Sequence, residues 1–371
     1  MLKICFIVSS SMHGGVDRVV SSLSNMLKAD GHDVSILCSI PNHSYFKLKY
    51  SITDKSLFQK TLVRVGILFK MIAVEFSKLI TKKNNLADRY EAQFESYTLL
   101  KMPKLNKDTH YILANNWYQY YEFKEYFESG YSMTLFLYHP EYSHLKSIYK
   151  NQVNRVYKGS DLHKITISNS TKREFKEIGC VIDSVIPLGV DHNIFNNFSI
   201  TENKAMHILL YYDSNIRKGG KYGLDALKKI KEKYGNFKYS IVTNSKGSFP
   251  KWCNVYSFLS DLQMADLYKN TDIFIYPSTH EGFGLPPLEA MACSTAVIMT
   301  RTGESDIYAM HKKNAILVSK ESVAEIVSAV DDLVNNNILK KIKIEAEVAA
   351  KKYTWRNSLN KLLLNLKNIN N

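Results

Sequence analysis

Short apolar runs alternate with amphipathic helical stretches twice along the chain, and few folds accommodate that alternation. Leu2 to Val8 and Val34 to Cys38 read as buried strands on either side of a helix from about Val16 to Lys28, which Gly31 closes. These residues make a βαβ unit whose first turn carries a glycine pair, Gly14 and Gly15. Further strands are expected at Tyr111 to Ala114, Met133 to Tyr138 and Ile165 to Ser168. A second series has strands at Met206 to Tyr212, Lys238 to Thr243, Asn254 to Phe258, Ile273 to Tyr276, Ala296 to Met299 and Ile316 to Val318. Its helices are expected at Tyr222 to Tyr234, Met264 to Lys269, Leu288 to Ala292, Val323 to Asn335, Leu339 to Lys351 and Trp355 to Leu366. The expected class is α/β, with two parallel-sheet domains meeting between Ser160 and Ala205, where Pro187 and Gly189 mark turns.

Composition narrows the class further. At about 150 residues per domain, 371 residues leave room for two or three domains. A hydrophobic share of 45% excludes a disordered or collagen-like chain. Five cysteines without a C-x-x-C pair fit reduced, mostly buried thiols rather than a disulfide or zinc framework, and a cytoplasmic setting. The amino-terminal apolar stretch Ile4 to Val8 is shorter than a signal-peptide core of about 7 to 15 residues, and no membrane-spanning run is expected.

The formal net charge of +14 points to an anionic partner. Half of it sits between His43 and Lys83, where nine basic residues stand against Asp54 and Glu75. Within that stretch, Leu57 to Ile80 reads as one long helix with a broad apolar face. Such a helix could lie on an anionic membrane surface, or its apolar face could be buried in the first domain.

The richest chemistry lies in YPSTHEGFGLPPLEAMAC, Tyr276 to Cys293. A strand runs into a loop with Gly282 and Gly284, and then into a helix with Pro286 or Pro287 at its first position. The amino terminus of such a helix favours phosphate. Glu281 in the loop and Glu289 in the helix's first turn are placed to face one pocket, and carboxylates bind the neighbouring hydroxyls of sugars and riboses. Taken singly, each glutamate would more often be solvated or complement a helix dipole. Here strand, glycines, prolines and both glutamates occur together.

That constellation resembles the retaining glycosyltransferases of family 4, whose signature E-G-F-G-x-x-x-x-E-A is matched by Glu281, Gly282, Phe283, Gly284, Glu289 and Ala290. SSSMHGGVDRVVSSLSNMLKADGHDVSIL near the start is similar to the family's glycine-pair loop and first helix, and VIPLGVDHNIF, Val185 to Phe195, to its interdomain segment. The resemblance implies a GT-B fold: two Rossmann-like domains facing a central cleft, with a C-terminal helix crossing back to the first. The expected division is an acceptor-side domain at 1–165, a nucleotide-sugar domain at 166–352 and the crossing helix at 353–371. By position, Glu289 would bind the nucleotide ribose, Glu281 the sugar hydroxyls, and the backbone of Phe283 to Leu285 sugar and diphosphate. His139 falls where the family places a histidine on the donor sugar, and Gly14 and Gly15 would cap the cleft on the acceptor side. Lys218 resembles the diphosphate lysine of a G-R-x-x-x-x-K-G element. Tyr212 and Asp213 stand where its arginine belongs, with Arg217 offered as the second cation.

The resemblance implies transfer with retention from a nucleotide-sugar donor to a glycan or lipid-linked acceptor, in bacterial surface polysaccharide or glycoconjugate synthesis, on the cytoplasmic side and peripheral to the membrane. No metal or other cofactor is expected, since fixed cations and helix dipoles would stabilise the departing diphosphate and the chain has no D-x-D triplet. Two rivals stand beside this reading. One is a non-catalytic sugar-binding partner subunit of the same fold, against which both glutamates argue. The other is a nucleic-acid-binding protein, which lacks any recognised motif here.

Overall fold

A computed structural model describes residues 1–8, 15–38, 105–114, 127–138, 154–159, 161–197, 205–302, 305–336 and 338–370. The chain divides into two compact units, Met1–Ile186 with Leu359–Asn371, and Pro187–Ser358. Expectation put the divisions at 165/166 and 352/353. The first falls later because one further strand, Ser184–Val185, extends the first sheet, and the last helix starts in the second unit and counts with the first from Leu359.

The first unit holds a six-stranded sheet of β1 (Lys3–Val8), β2 (Asp33–Cys38), β3 (His110–Ala114), β4 (Met133–Leu137), β5 (His163–Thr166) and β6 (Ser184–Val185). Their order is β2-β1-β3-β4-β5-β6, and every pair is parallel. Helix α1 (Gly15–Ala29) crosses from β1 to β2, and α2 (Asn169–Glu177) from β5 to β6. The sequence reading lacked α2 and β6. Ser168 caps α2 by accepting from the Thr171 N–H at 3.0 Å, but Phe175 is its one large buried side chain, too thin a signal for periodicity.

The second unit repeats the plan with β7 (His207–Tyr211), β8 (Lys238–Val242), β9 (Asn254–Tyr256), β10 (Ile273–Tyr276), β11 (Ala296–Thr300) and β12 (Ile316–Val318), ordered β12-β11-β10-β7-β8-β9 and parallel throughout. Its helices are α3 (Gly220–Lys233), α4 (Asp261–Lys269), α5 (Leu285–Ala292), α6 (Ser305–Tyr308), α7 (Val323–Asn335), α8 (Leu339–Ala350) and α9 (Trp355–Asn370), the last shared with the first unit. Two-sided burial explains the apolar runs: every residue of β10 and β11 is buried. Ile208, Leu210, Ile273 and Ile275 pack with Leu227 and Ile230 of α3 and Val330 of α7. The alternate residues look the other way, where Phe274 meets Tyr268 of α4 edge-on at 5.1 Å and α5 packs between α4 and α8. Each fully buried Leu, Ile or Phe contributes about 1.5–3 kcal/mol, so these faces dominate the unit's stability.

Helix α4 begins at Asp261, three residues before its expected start. Ser260 and Gln263 form a capping box there. Helix α5 likewise begins at Leu285 rather than Leu288, with Pro286 and Pro287 second and third in its first turn. Proline is tolerated at those positions because the first-turn N–H groups have no intrahelical acceptor.

Candidate functional site

In the second sheet the chain runs from β7 outward to β8 and β9, then returns to β10 on the other side of β7. The loops after β7 and β10 therefore diverge into α3 and α5 from adjacent strand ends. In open α/β sheets, ligands bind outside the carboxyl ends of the strands at such a switch point.

Both loops are short and tied to each other. After β7 comes a 3-10 turn, Ile216–Lys218, whose amino end Asn215 caps by accepting from the Arg217 N–H at 3.0 Å. The Arg217 carbonyl accepts from the Thr279 N–H at 2.8 Å, the Thr279 hydroxyl at 3.0 Å and the Ser278 hydroxyl at 3.2 Å. Gly219, at φ +62°, lets the turn close against β10's loop: a β-carbon there would lie 2.0 Å from the Pro277 carbonyl oxygen. Across the same gap the Tyr211 and Tyr276 rings meet at 5.1 Å.

This scaffold brings Lys218 and Glu281 together. Lys218 Nζ donates to Glu281 Oε1 at 2.7 Å, and the Tyr276 hydroxyl donates to the same oxygen at 2.6 Å. The Glu281 side chain is 11% exposed and that of Lys218 30%. Losing one partner of a buried pair costs about 3–5 kcal/mol, an upper bound for a pair that solvent still reaches. Burial, and then the charge of Glu281, push the Tyr276 phenol well above its ordinary value, so it remains a donor. Arg217 makes no ion pair with the described residues, and its charge adds to burial in holding His280 below the usual histidine range. His280 is therefore neutral at pH 7.

Gly284, at φ +82°, is the residue before α5, and its carbonyl accepts from the Tyr308 hydroxyl at 2.9 Å. Phe283 is buried in a triangle of rings with Tyr308 and Tyr353, centroids 6.0–6.3 Å apart, and Leu285 is buried beside it. Gly282 is half-buried. Pro286 and Pro287 have no N–H, so anion donors at this end of α5 come from Gly284, Leu285 and the loop before them. Glu289, expected on the first turn of the helix, falls on its second because α5 starts early, and it is 2% exposed.

The structure thus brings Arg217, Lys218, Glu281, Gly282, Phe283, Gly284 and Leu285 to one strand-end crevice, with Glu289 buried one turn into α5. Gly15 is the first residue of α1, while Gly14, His139 and the 57–80 segment lie outside the described residues. Sequence reasoning missed Tyr276, Ser278, Thr279, Tyr308 and Tyr353. Only Tyr276 had a local signal, as the polar end of an apolar strand. Among the described residues, no group of His, Cys, Asp or Glu has metal-ligand geometry. Burial raises the Cys293 thiol beside α5 to about 12, so it is not a nucleophile. A cavity of about 570 Å³ in the first unit, lined by Met133, His163 and Lys164, opens at the amino ends of β4 and β5, away from where this topology builds sites.

Residues 195–352 match the family model described as glycosyl transferases group 1. The match covers the crevice residues from Arg217 to Glu289. Over 76 residues the chain is 36% identical to the serotype-specific mannosyltransferase WbdA of Escherichia coli, covering 20% of this chain and 8% of that protein. Over 231 residues it is 26% identical to the uncharacterized glycosyltransferase MJ1178 of Methanocaldococcus jannaschii, covering 56% of this chain and 61% of that one. The chain therefore spans less than two thirds of either curated relative. Among solved structures, Anabaena Alr3699/HepE in complex with UDP-glucose matches 99% of this chain and 100% of its own, with TM-score 0.70 and 14% identity. At that identity the likeness speaks for the fold, which matches GT-B glycosyltransferases.

Proposed function

We propose that the chain is a retaining glycosyltransferase of family 4 that moves a sugar from a nucleotide-sugar donor to a glycan or lipid-linked acceptor. The observation that carries this reading is the pairing of Lys218 with Glu281 at the switch point, beside the start of α5 and Arg217, which makes no ion pair among the described residues. A cation, a carboxylate and a helix amino terminus at one strand-end crevice suit a diphosphate joined to a polyhydroxyl group. The relatives named above support sugar transfer, and the serotype-specific mannosyltransferase favours surface polysaccharide as the product class.

Lys218 and Arg217 would hold the diphosphate, replacing the arginine whose place Asp213 takes. The Asp213 side chain is engaged otherwise, its Oδ1 accepting from the Asn215 N–H at 2.8 Å. Glu289 would bind the ribose and Glu281 the sugar hydroxyls. As the bond between anomeric carbon and phosphate oxygen breaks, charge grows on the β-phosphate, where fixed cations stabilise it without reorganising. The acceptor hydroxyl would form the new bond from the same face and pass its proton to the departing phosphate, which gives retention. Transfer is expected to persist in EDTA. Incubation with a panel of nucleotide sugars, with and without chelator, should release nucleotide from at least one donor at an unchanged rate. Release from none would remove the enzymatic reading in favour of a sugar-binding subunit, and a need for Mg²⁺ or Mn²⁺ would contradict the charge argument.

No helix among the described residues is long and apolar enough to cross a membrane. A peripheral site on an anionic cytoplasmic surface is part of the proposal, supported by the basic, apolar 43–83 sequence.

A further inference from the structure

Glu281 has two carboxylate oxygens, and they are treated unequally. Oε1 accepts from both Tyr276 and Lys218, while Oε2 has no hydrogen-bond partner among the described residues. A carboxylate anchored twice through one oxygen cannot rotate freely, and the lone pairs of the other are left for solvent or ligand. The two anchors also differ in kind. Lys218 is partly exposed on a flexible four-carbon stem. Tyr276 ends β10, is 2% exposed, and its ring is wedged between Tyr211 at 5.1 Å and Phe274 at 6.0 Å.

We propose that Tyr276 is a positioning residue, whose hydroxyl fixes Glu281 through Oε1 so that Oε2 stays available to the hydroxyls of the donor sugar. This rests on the reading of Glu281 as the sugar-contacting group. A diphosphate in the crevice draws on Lys218, because one ammonium must then serve two anions. Tyr276 is the anchor that such competition does not touch: Glu281 is the one hydrogen-bond acceptor of its hydroxyl among the described residues, and the ring is held by packing. An unmade hydrogen bond at a nearly buried carboxylate is costly, so losing this anchor should show wherever Glu281 contributes.

The test is Tyr276→Phe in the full chain, which keeps the ring and removes the hydroxyl. Calorimetry would measure affinity for UDP and UDP-glucose, and for GDP and GDP-mannose, in wild type, Tyr276→Phe, Glu281→Gln and the double variant. Tyr276→Phe is expected to leave nucleoside diphosphate affinity within twofold while weakening the nucleotide sugar five- to tenfold. The double variant should be no weaker than Glu281→Gln alone within twofold, because one residue acts through the other. The ratio of the two affinities within one variant does not depend on how much of it is folded, so a stability loss cannot imitate the result. Parallel losses for diphosphate and nucleotide sugar would overturn the positioning role in favour of a structural one. A weakened Glu281→Gln beside an unaffected Tyr276→Phe would overturn it while leaving the sugar-site reading intact. An unaffected Glu281→Gln, or a wild type that binds neither pair, would overturn both.

Discussion

In each unit the first strand lies inside its sheet, β1 between β2 and β3, and β7 between β8 and β10, so both sheets have a point where the chain reverses its direction of travel. The connections built on this shared plan differ. In the second unit eight residues separate β7 from α3 and eight separate β10 from α5, and Ser278 and Thr279 bond one loop to the other. In the first unit β2 and β3 are separated by residues 39–109, which hold the basic, apolar stretch. Strand order therefore locates a crevice, and short cross-tied loops decide what stands in it. Where loops are that short, few residues can occupy the crevice, and the sequence names them.

The largest expected effect sets two positive-φ glycines against each other. Gly130 of the first unit, at φ +80°, has nothing within 4 Å of the place of a β-carbon, whereas Gly219 of the second would press one against a carbonyl oxygen. Gly130→Ala should cost about 1 kcal/mol through backbone strain alone, and Gly219→Ala about 3 kcal/mol or more, because the turn must also move. Calorimetric melting should show the larger shift for Gly219→Ala. Equal shifts would mean that the two loops are not tightly joined.

Next comes acid. Each sheet buries a histidine at the start of a strand beside its reversal: His110 lies between Ser132 at 2.6 Å and Thr134 at 2.8 Å, and His207 reaches Ser240 at 2.8 Å. Burial, then the nearby His163, lower His110 to about 4, and burial lowers His207 as well. The unfolded chain takes up these protons near pH 6.5 and the folded one resists to lower pH, so stability is full above 6.5 and declines as pH falls from there towards 4. For His110 the loss by pH 5 should be about 2 kcal/mol. Urea melts at pH 7 and 5 would check this, and His110→Gln should flatten the dependence. A slope unchanged in that variant would assign the acid sensitivity elsewhere.

Smallest in energy, and closest to function, are the crevice substitutions. Lys218→Ala and Glu289→Gln should each lower transfer at least tenfold, about 1.4 kcal/mol or more. Glu177→Gln, an exposed position on α2 of the first unit, should stay within twofold. Near-normal rates for both crevice variants would break the assignment of the site to the second unit.

Much of this was legible in the chain itself. The parallel sheets follow from apolar runs that two-sided burial requires, Glu281 and Glu289 stand out by their places around a glycine loop and a helix start, and Arg217 and Lys218 come from the family resemblance. Other features were not legible, for identifiable reasons. Helix α5 starts before its apolar run because prolines fit a first turn. Helix α2 has one large buried side chain, and without it β6, the strand that extends the first sheet past residue 166, was missed. Tyr308 and Tyr353 reach Gly284 and Phe283 from 24 and 70 residues away, and nothing in their neighbours announces those partners, while Tyr276 meets Glu281 five residues on, through a loop geometry that the strand pattern does not give.

The central claim is a donor site built on Lys218 at the carboxyl ends of β7 and β10. Its most direct measurement is a calorimetric titration of the full chain with UDP and GDP, in wild type and Lys218→Ala. One of the two nucleotides is expected to bind wild type and to lose at least tenfold in affinity without the lysine, while binding of equal strength to both proteins would contradict the claim.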